Sequence, residues 1–309
     1  MIAKRGVRSV LFPDTDELAE VLLDLGVPHQ DIDEPVRLSR RVTGDAGIRA
    51  FLEKAVAELV EGMGEVRGGA DVPGLPGASG ALARFFPLYV LVGALPHARA
   101  HHRKLGVPEE VSRRTLADVG RAVALHRRWH GTGGILSARW LSLHLRGELY
   151  QLGRLQFQRS RIDRRTSDSI AAAGLAAGLD DPALSVHVPD FMGPLSPRAC
   201  DRSLDLARDF FARHHPEQPY SVATCSSWLL DPQLKRYLPG DSNIVRFQER
   251  FRLREEPAEP EDMTPVRFVF GTTDVPLERL PRRTVLHRAV LDHLRDGGHW
   301  YVRTGWLSL

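Results

Sequence analysis

Apolar residues recur at helical spacing through the first third of the chain. Leu18, Val21, Leu22 and Leu25 fall on one stripe, and Ile48, Phe51, Leu52, Ala55, Val56 and Leu59 form a longer one, so a helix is expected at each. Gly62 and Gly64 end the second, and the glycine- and proline-rich stretch 68–80 (GGADVPGLPGASG) reads as a loop. The most apolar segment, 81–95, is interrupted by Arg84 and Pro87. It falls short of the about 20 residues a membrane span requires, so a buried helix is expected. Another helix is predicted over 109–128, with Leu116, Val119 and Val123 facing inward. The turn HGTGG at 130–134 then punctuates the chain. It lacks the Lys-Ser/Thr that follows a phosphate loop, so it reads as a hinge, and a domain boundary is placed there.

Beyond the hinge the texture changes. Over 137–151 the leucines 141, 145, 149 and 152 favour a helix with Gly153 as its stop. Leu141, Leu143 and Leu145 also alternate, which leaves a strand start open. Leu155 and Phe157 alternate with Gln156 and Gln158 as a strand, and 171–179 is a small alanine-rich helix or loop. Leu184, Val186 and Val188 alternate with Ser185 and His187, giving a short strand that stops at Pro189. Ser196 before Pro197 is a preferred cap and first residue for a helix over 197–213, with Cys200, Leu204, Ala207 and Phe211 on one face. Strands are predicted over 220–230, 247–253, 266–270 and 299–307, and a helix over 280–294. Asp231 is expected to cap a short helix beginning at Pro232, and Asn243 to cap the next short element. The acidic stretch 255–262 reads as an exposed loop. The predicted class is α+β: a helical N-terminal domain, 1–134, followed by a mixed β-sheet domain, 135–309, flanked by helices.

Composition narrows the functions. The chain has 309 residues, room for two cores, with 42% hydrophobic and 26% charged residues, as in ordinary globular proteins. A net charge of +3 is too weak to bind nucleic acid by charge alone. Two cysteines, Cys200 and Cys225, exclude a disulfide framework and a four-thiolate zinc site. That pairs with a reducing, cytoplasmic setting, and the first residues, MIAKRGVRSVLFPD, lack the apolar run of a signal peptide. The histidine pairs His97/His101 and His126/His130 have i, i+4 spacing without the glutamate of H-E-x-x-H or a third ligand, so no metal is expected. Arg154, Arg159, Arg161, Arg164 and Arg165 form a cluster suited to a ligand phosphate or an RNA, whose default reading is a solvated edge.

The unit strand–turn–helix–strand over 184–230 carries the most chemistry. A crossover of this kind sets the helix N-terminus at the C-terminal end of the first strand, where unpaired N–H groups and the helix dipole favour an anion. The turn Gly193-Pro194-Leu195-Ser196 occupies that position.

The segments LRGELYQLGRLQFQ, SVHVPDFMGPLSPRACDRSLDLARDFFARHHPEQPY and CSSWLLDPQLKRYLPGDSNIVRFQERFRL resemble a bacterial family of two-domain acyltransferases. Its members join a helical acyltransferase-type N-terminal domain to a GNAT-like C-terminal domain. The resemblance covers the second half of the chain well and the first third loosely. It implies a GNAT-type mixed sheet and a thioester donor, acyl-CoA, as co-substrate. It further implies that Val186 and Val188 flank the pantetheine arm and that Gly193, Leu195, Ser196 and Arg198 hold the pyrophosphate. The glycine-rich pyrophosphate loop of ordinary GNAT enzymes is missing here, since FMGPLSPR contains one glycine and two prolines.

Transfer of an acyl group to an amine needs a base and a donor for the thioester oxygen. His187 is the first candidate base. Cys225 and Ser226 lie on the facing strand and point to opposite sides, so at most one of them serves the cleft. The expected function is acyl transfer from a thioester to an amine or hydroxyl of a small molecule. The alternative is a non-catalytic module that binds acyl-CoA or another anion as a sensor or scaffold, and a third reading is an RNA-associated protein using the arginine cluster. An acyl carrier protein is a second possible donor. A membrane partner is not expected.

Overall fold

The computed structural model describes residues 12–255 and 259–309. The first eleven residues of the chain, and residues 256–258 of the acidic stretch, lie outside the described residues. The chain divides into two compact units, Met1–Tyr150 and Gln151–Leu309.

The first unit is helical. It comprises α1 (Thr15–Asp24), α2 (Asp33–Gly44), α3 (Ala46–Val60), α4 (Gly80–Lys104), α5 (Glu109–Leu116), α6 (Asp118–His130) and α7 (Ala138–Leu145). Asp14 caps α1 in a capping box with Glu17, and Asp45 caps α3 through the N–H groups of Gly47 and Ile48. α4 is the centre of this core. Phe85, Phe86, Leu88, Tyr89 and Val90 are fully buried, with α1, α3 and α7 contributing Leu18, Leu22, Leu52, Leu59, Leu141 and Leu145. Its length and composition would suit a membrane span, yet 67% of its most apolar 18 residues is buried inside the protein. The predicted helix over 109–128 is two helices broken at Ala117. The break brings the Gly120 N–H to 3.1 Å from the Leu25 carbonyl. A Cβ at 120 would lie 2.2 Å from the Gly26 carbonyl carbon, so only glycine fits this approach. The HGTGG turn ends α6, with Gly131 in the left-handed conformation. The unit continues beyond it because Leu141 and Leu145 of α7 belong to the helical core.

The second unit is built on a six-stranded mixed sheet in the order β1-β2-β3-β4-β6-β5. Its strands are β1 (Leu149–Leu152), which spans the division between units, β2 (Leu155–Arg161), β3 (Pro182–His187), β4 (Val222–Ser227), β5 (Arg252–Leu253) and β6 (Arg303–Ser308). Its helices are α8 (Arg164–Ala172), α9 (Pro197–His214), α10 (Asn243–Gln248), α11 (Met263–Phe270) and α12 (Val285–Arg295). β3 and β4 pair in parallel with α9 as their crossover, whereas β2–β3, β4–β6 and β5–β6 are antiparallel.

Four local expectations are overturned here. Residues 149–152 form a strand, and Gly153 (φ +67°) stands in the turn between β1 and β2 rather than stopping a helix. Residues 243–248 are helical where a strand was expected from 247. Ser242, not Asn243, is the cap, and the helix carries Gln248 to the carbonyls of Leu229 (2.7 Å) and Asp231 (2.9 Å). The valine- and phenylalanine-rich run 266–270 is helical, stopped by Gly271 in the left-handed conformation, with Val266 buried against Val290, Leu291 and Trp300. Asp231 does cap the turn at Pro232, and its second oxygen also accepts from the Tyr301 N–H at 2.9 Å.

Candidate active site

β3 is fully zipped to β2, from Arg161↔Pro182 to Gln156↔His187, and β4 is fully zipped to β6, from Val222↔Ser308 to Ser227↔Arg303. Between β3 and β4 the register comprises only Leu184↔Ala223 and Ser185↔Thr224. The paired ladder therefore ends at Ser185 and Thr224, and the strands run on unpaired beyond it. Val186 and His187 continue on one arm of the gap, and Cys225, Ser226 and Ser227 on the other.

Strand alternation and register together assign the faces. His187 shares a face with Ser185, Gln156 and Gln158, and through Ser185↔Thr224 with Thr224, Ser226 and Thr304. At one end of this face Ala183, Val222 and Trp306 pack with Ile162 and with Ile170 of α8. Toward the parting of the strands it is polar, with Ser185, His187 and Thr224 half-buried and Ser226 exposed. His187 Nε2 lies 3.0 Å from Gln158 Oε1. An amide oxygen only accepts, so this contact keeps the proton of the neutral ring on Nε2 and its basic lone pair on Nδ1. Ser226 Oγ lies 2.8 Å from Thr304 Oγ1.

Cys225 sits elsewhere. It lies on the opposite face at 1% exposure, and burial pushes its thiol up to about 12. Its side chain is thus enclosed in the core, on the face away from His187 and Ser226. Val186 is likewise buried on that face, while Val188 is half-buried just past the end of β3.

Residues 188–196 lead from β3 into α9. Arg154, in the turn before β2, donates from Nη1 to the Pro189 carbonyl at 3.0 Å and from Nε to the Gly193 carbonyl at 2.9 Å. Between these two anchors Phe191 adopts φ +59° and is 58% exposed. A bulky residue in the left-handed region is strained, and such strain concentrates where a loop is held for a ligand. Gly193 is exposed at φ +74°, Leu195 is tucked in at 8% exposure, and Arg198 is exposed. Ser196 caps α9 by accepting from the Ala199 N–H at 3.3 Å, and Pro197 is the first helical residue. From the far side Arg250 donates to the Pro197 carbonyl at 3.0 Å and pairs with Asp201. Burial lowers the Arg154 guanidinium from its ordinary value, opposed by nearby Cys200 and Asp190. Arg154 and Arg159 are thus structural cations, Arg159 reaching the Tyr220 hydroxyl at 3.1 Å, and not parts of a solvated edge.

Sequence reasoning missed Gln158, Thr304 and Arg250 as parts of this region, and it held Arg154 only as a member of the arginine cluster. Gln158 alone carried a signal, a polar residue alternating with buried neighbours. Among the described residues no group of three or more His, Cys, Asp or Glu side chains is placed to hold a metal. His126 Nδ1 instead contacts the Thr132 carbonyl at 2.6 Å, and His97 is exposed.

The N-acyltransferase N-terminal domain matches residues 16–147, and the GNAT-like C-terminal domain matches residues 149–307. No curated protein matches the chain. Among solved structures, an acyltransferase in complex with decanoyl-CoA and teicoplanin is 38% identical, over 99% of this chain and 91% of its own, with a TM-score of 0.88. An acyltransferase variant in complex with octanoyl-CoA is 39% identical over 99% of this chain and 91% of its own, with a TM-score of 0.86. An acyltransferase with CoA and 10C-teicoplanin is 38% identical over the same shares, 99% and 91%, with a TM-score of 0.88. The parted strands, the turn into α9 and these matches converge, and the chain belongs to the two-domain acyltransferases that join an N-acyltransferase N-terminal domain to a GNAT-like C-terminal domain.

Proposed function

We propose that the protein transfers a medium-length acyl group from acyl-CoA to an amine or hydroxyl of a glycopeptide of the teicoplanin class. The observation that carries this reading is the end of the β3–β4 ladder at Ser185 and Thr224, in a chain 38% identical to an acyltransferase bound to decanoyl-CoA and teicoplanin. The gap offers β3 backbone to the pantetheine arm of the donor. The α9 N-terminus, with Ser196, Gly193 and the cations Arg154, Arg198 and Arg250 around it, suits the donor's pyrophosphate. These arginines supply positive charge where the usual glycine-rich loop is missing.

His187 removes the proton from the attacking amine, with Gln158 holding the ring so that Nδ1 is the basic atom. The amine nitrogen then bonds to the thioester carbon, the carbon–sulfur bond breaks, and CoA leaves as the thiol once its sulfur regains a proton. A cytoplasmic setting goes with acyl-CoA as donor and with two buried, unbridged cysteines. An acyl carrier protein presents the same pantetheine arm and is the second donor to test.

The test is CoA release and product mass with octanoyl-CoA and decanoyl-CoA, with and without an unacylated teicoplanin-class glycopeptide. Acceptor-dependent release with a matching mass gain supports the reading. Donor binding without transfer to any amine or hydroxyl acceptor points instead to a sensor or scaffold.

A further inference from the structure

Ser226 and Thr304 are register partners on β4 and β6, with their hydroxyl oxygens 2.8 Å apart. Ser226 stands two positions beyond Thr224 on its arm of the gap, as His187 stands two beyond Ser185 on the other, and both lie on one face. A hydrogen-bonded pair of hydroxyls shares one proton and keeps a second for another acceptor. Thr304 is only 8% exposed whereas Ser226 is exposed, so the serine is the member that can reach a substrate. Cys225, the adjacent alternative, faces the other way into the core.

We infer that Ser226 donates a hydrogen bond to the thioester carbonyl oxygen as negative charge develops there, and that Thr304 positions it by donating to its Oγ. This rests on the acyl-CoA reading given above. The carbonyl oxygen, not the sulfur, is the target because sulfur is a weak acceptor and the oxyanion a strong one. Ser226 keeps its proton throughout. The amine proton passes to His187, the nitrogen–carbon bond forms, and the oxyanion collapses with the carbon–sulfur electron pair leaving on sulfur. The departing thiolate is then protonated by the His187 imidazolium or by water.

The experiment compares wild type, Ser226→Ala, Thr304→Val and Thr304→Ser for decanoyl transfer to the glycopeptide, and for affinity toward S-decyl-CoA, a thioether without the carbonyl. The expected result is a kcat loss of about 10²-fold in Ser226→Ala. Thr304→Val shows a smaller loss and Thr304→Ser restores activity, while all four bind the thioether equally. Full kcat in Ser226→Ala, or a thioether affinity that falls as far as kcat, overturns the inference and leaves an ordinary cross-strand hydroxyl pair. Should Thr304→Val fail to fold, the exposed Ser226 substitution decides alone. Wild type that transfers no acyl group overturns the underlying reading, whereas an active wild type with an unaffected Ser226→Ala overturns only this assignment.

Discussion

Gln158 accepts from His187 Nε2 at 3.0 Å although it stands diagonally across the β2–β3 ladder, where the direct partner of His187 is Gln156. The amide thereby determines which imidazole nitrogen is basic. Gln158→Leu should lower kcat a few-fold to about tenfold, the worth of one such hydrogen bond, and leave KM for acyl-CoA unchanged. Gln158→Glu, which keeps an acceptor at similar reach, should retain most activity. A rise in donor KM without a kcat change would contradict the assignment.

Cys225 is expected to be dispensable. Its thiol is buried at 1% exposure and held up to about 12, so iodoacetamide should leave the wild type active. Cys225→Ala should keep kcat and lose stability by about 1 kcal/mol. Loss of turnover in a variant that melts normally would restore the cysteine to the mechanism.

Arg154 fixes the loop into α9 through two carbonyls, those of Pro189 and Gly193. Arg154→Met should raise KM for acyl-CoA about tenfold, a charged hydrogen bond's worth, with little change in kcat. Arg154→Lys should not rescue it, because a single ammonium cannot reproduce the two-pronged contact. Donor-saturation curves for the three proteins decide the matter.

The helical unit should weaken in acid. Burial, helped by His101, lowers the His102 pKa from 6.5 to about 4, and burial also lowers His126 and His144. The unfolded chain therefore binds protons first as pH falls below about 6.5, and stability drops until His102 itself protonates near 4. For His102 alone the full loss is about 3 kcal/mol, present in full only below both values. Denaturant midpoints should fall between pH 7.5 and 5, and His102→Gln should flatten that decline. A midpoint independent of pH over this range would refute it.

Arg146 and Glu148, at 1% and 0% exposure, form a buried ion pair with Nε to Oε1 at 3.0 Å. Glu148 also accepts from the N–H groups of Arg67, Gly68 and Gly69, and Arg146 donates to the carbonyls of Leu59, Glu61 and Gly62. Glu148→Ala strands the guanidinium and should cost about 3–5 kcal/mol in chemical denaturation.

Long periodic stretches were legible in the sequence: α1, α3, α9 and the alternation of β3 all stand close to where the pattern puts them. Short apolar runs were not. Phe247 and Val266–Phe270 look like strand by residue type, but Ser242 as a cap and Gly271 as a stop make them helical. The polar positions His187 and Ser226 were legible because each sits in an alternating strand. Their partners were hidden by distance in the chain: Gln158 is 29 residues from His187, and Thr304 is 78 from Ser226. Such pairs are created by sheet register, which no local pattern encodes.

The most direct test of acyl transfer at the parted strands is single-turnover decanoyl transfer to the glycopeptide by wild type and His187→Ala at saturating decanoyl-CoA. The expected rate in the variant is lower by about 10²–10⁴-fold, with donor affinity unchanged. Equal rates in the two proteins would contradict it.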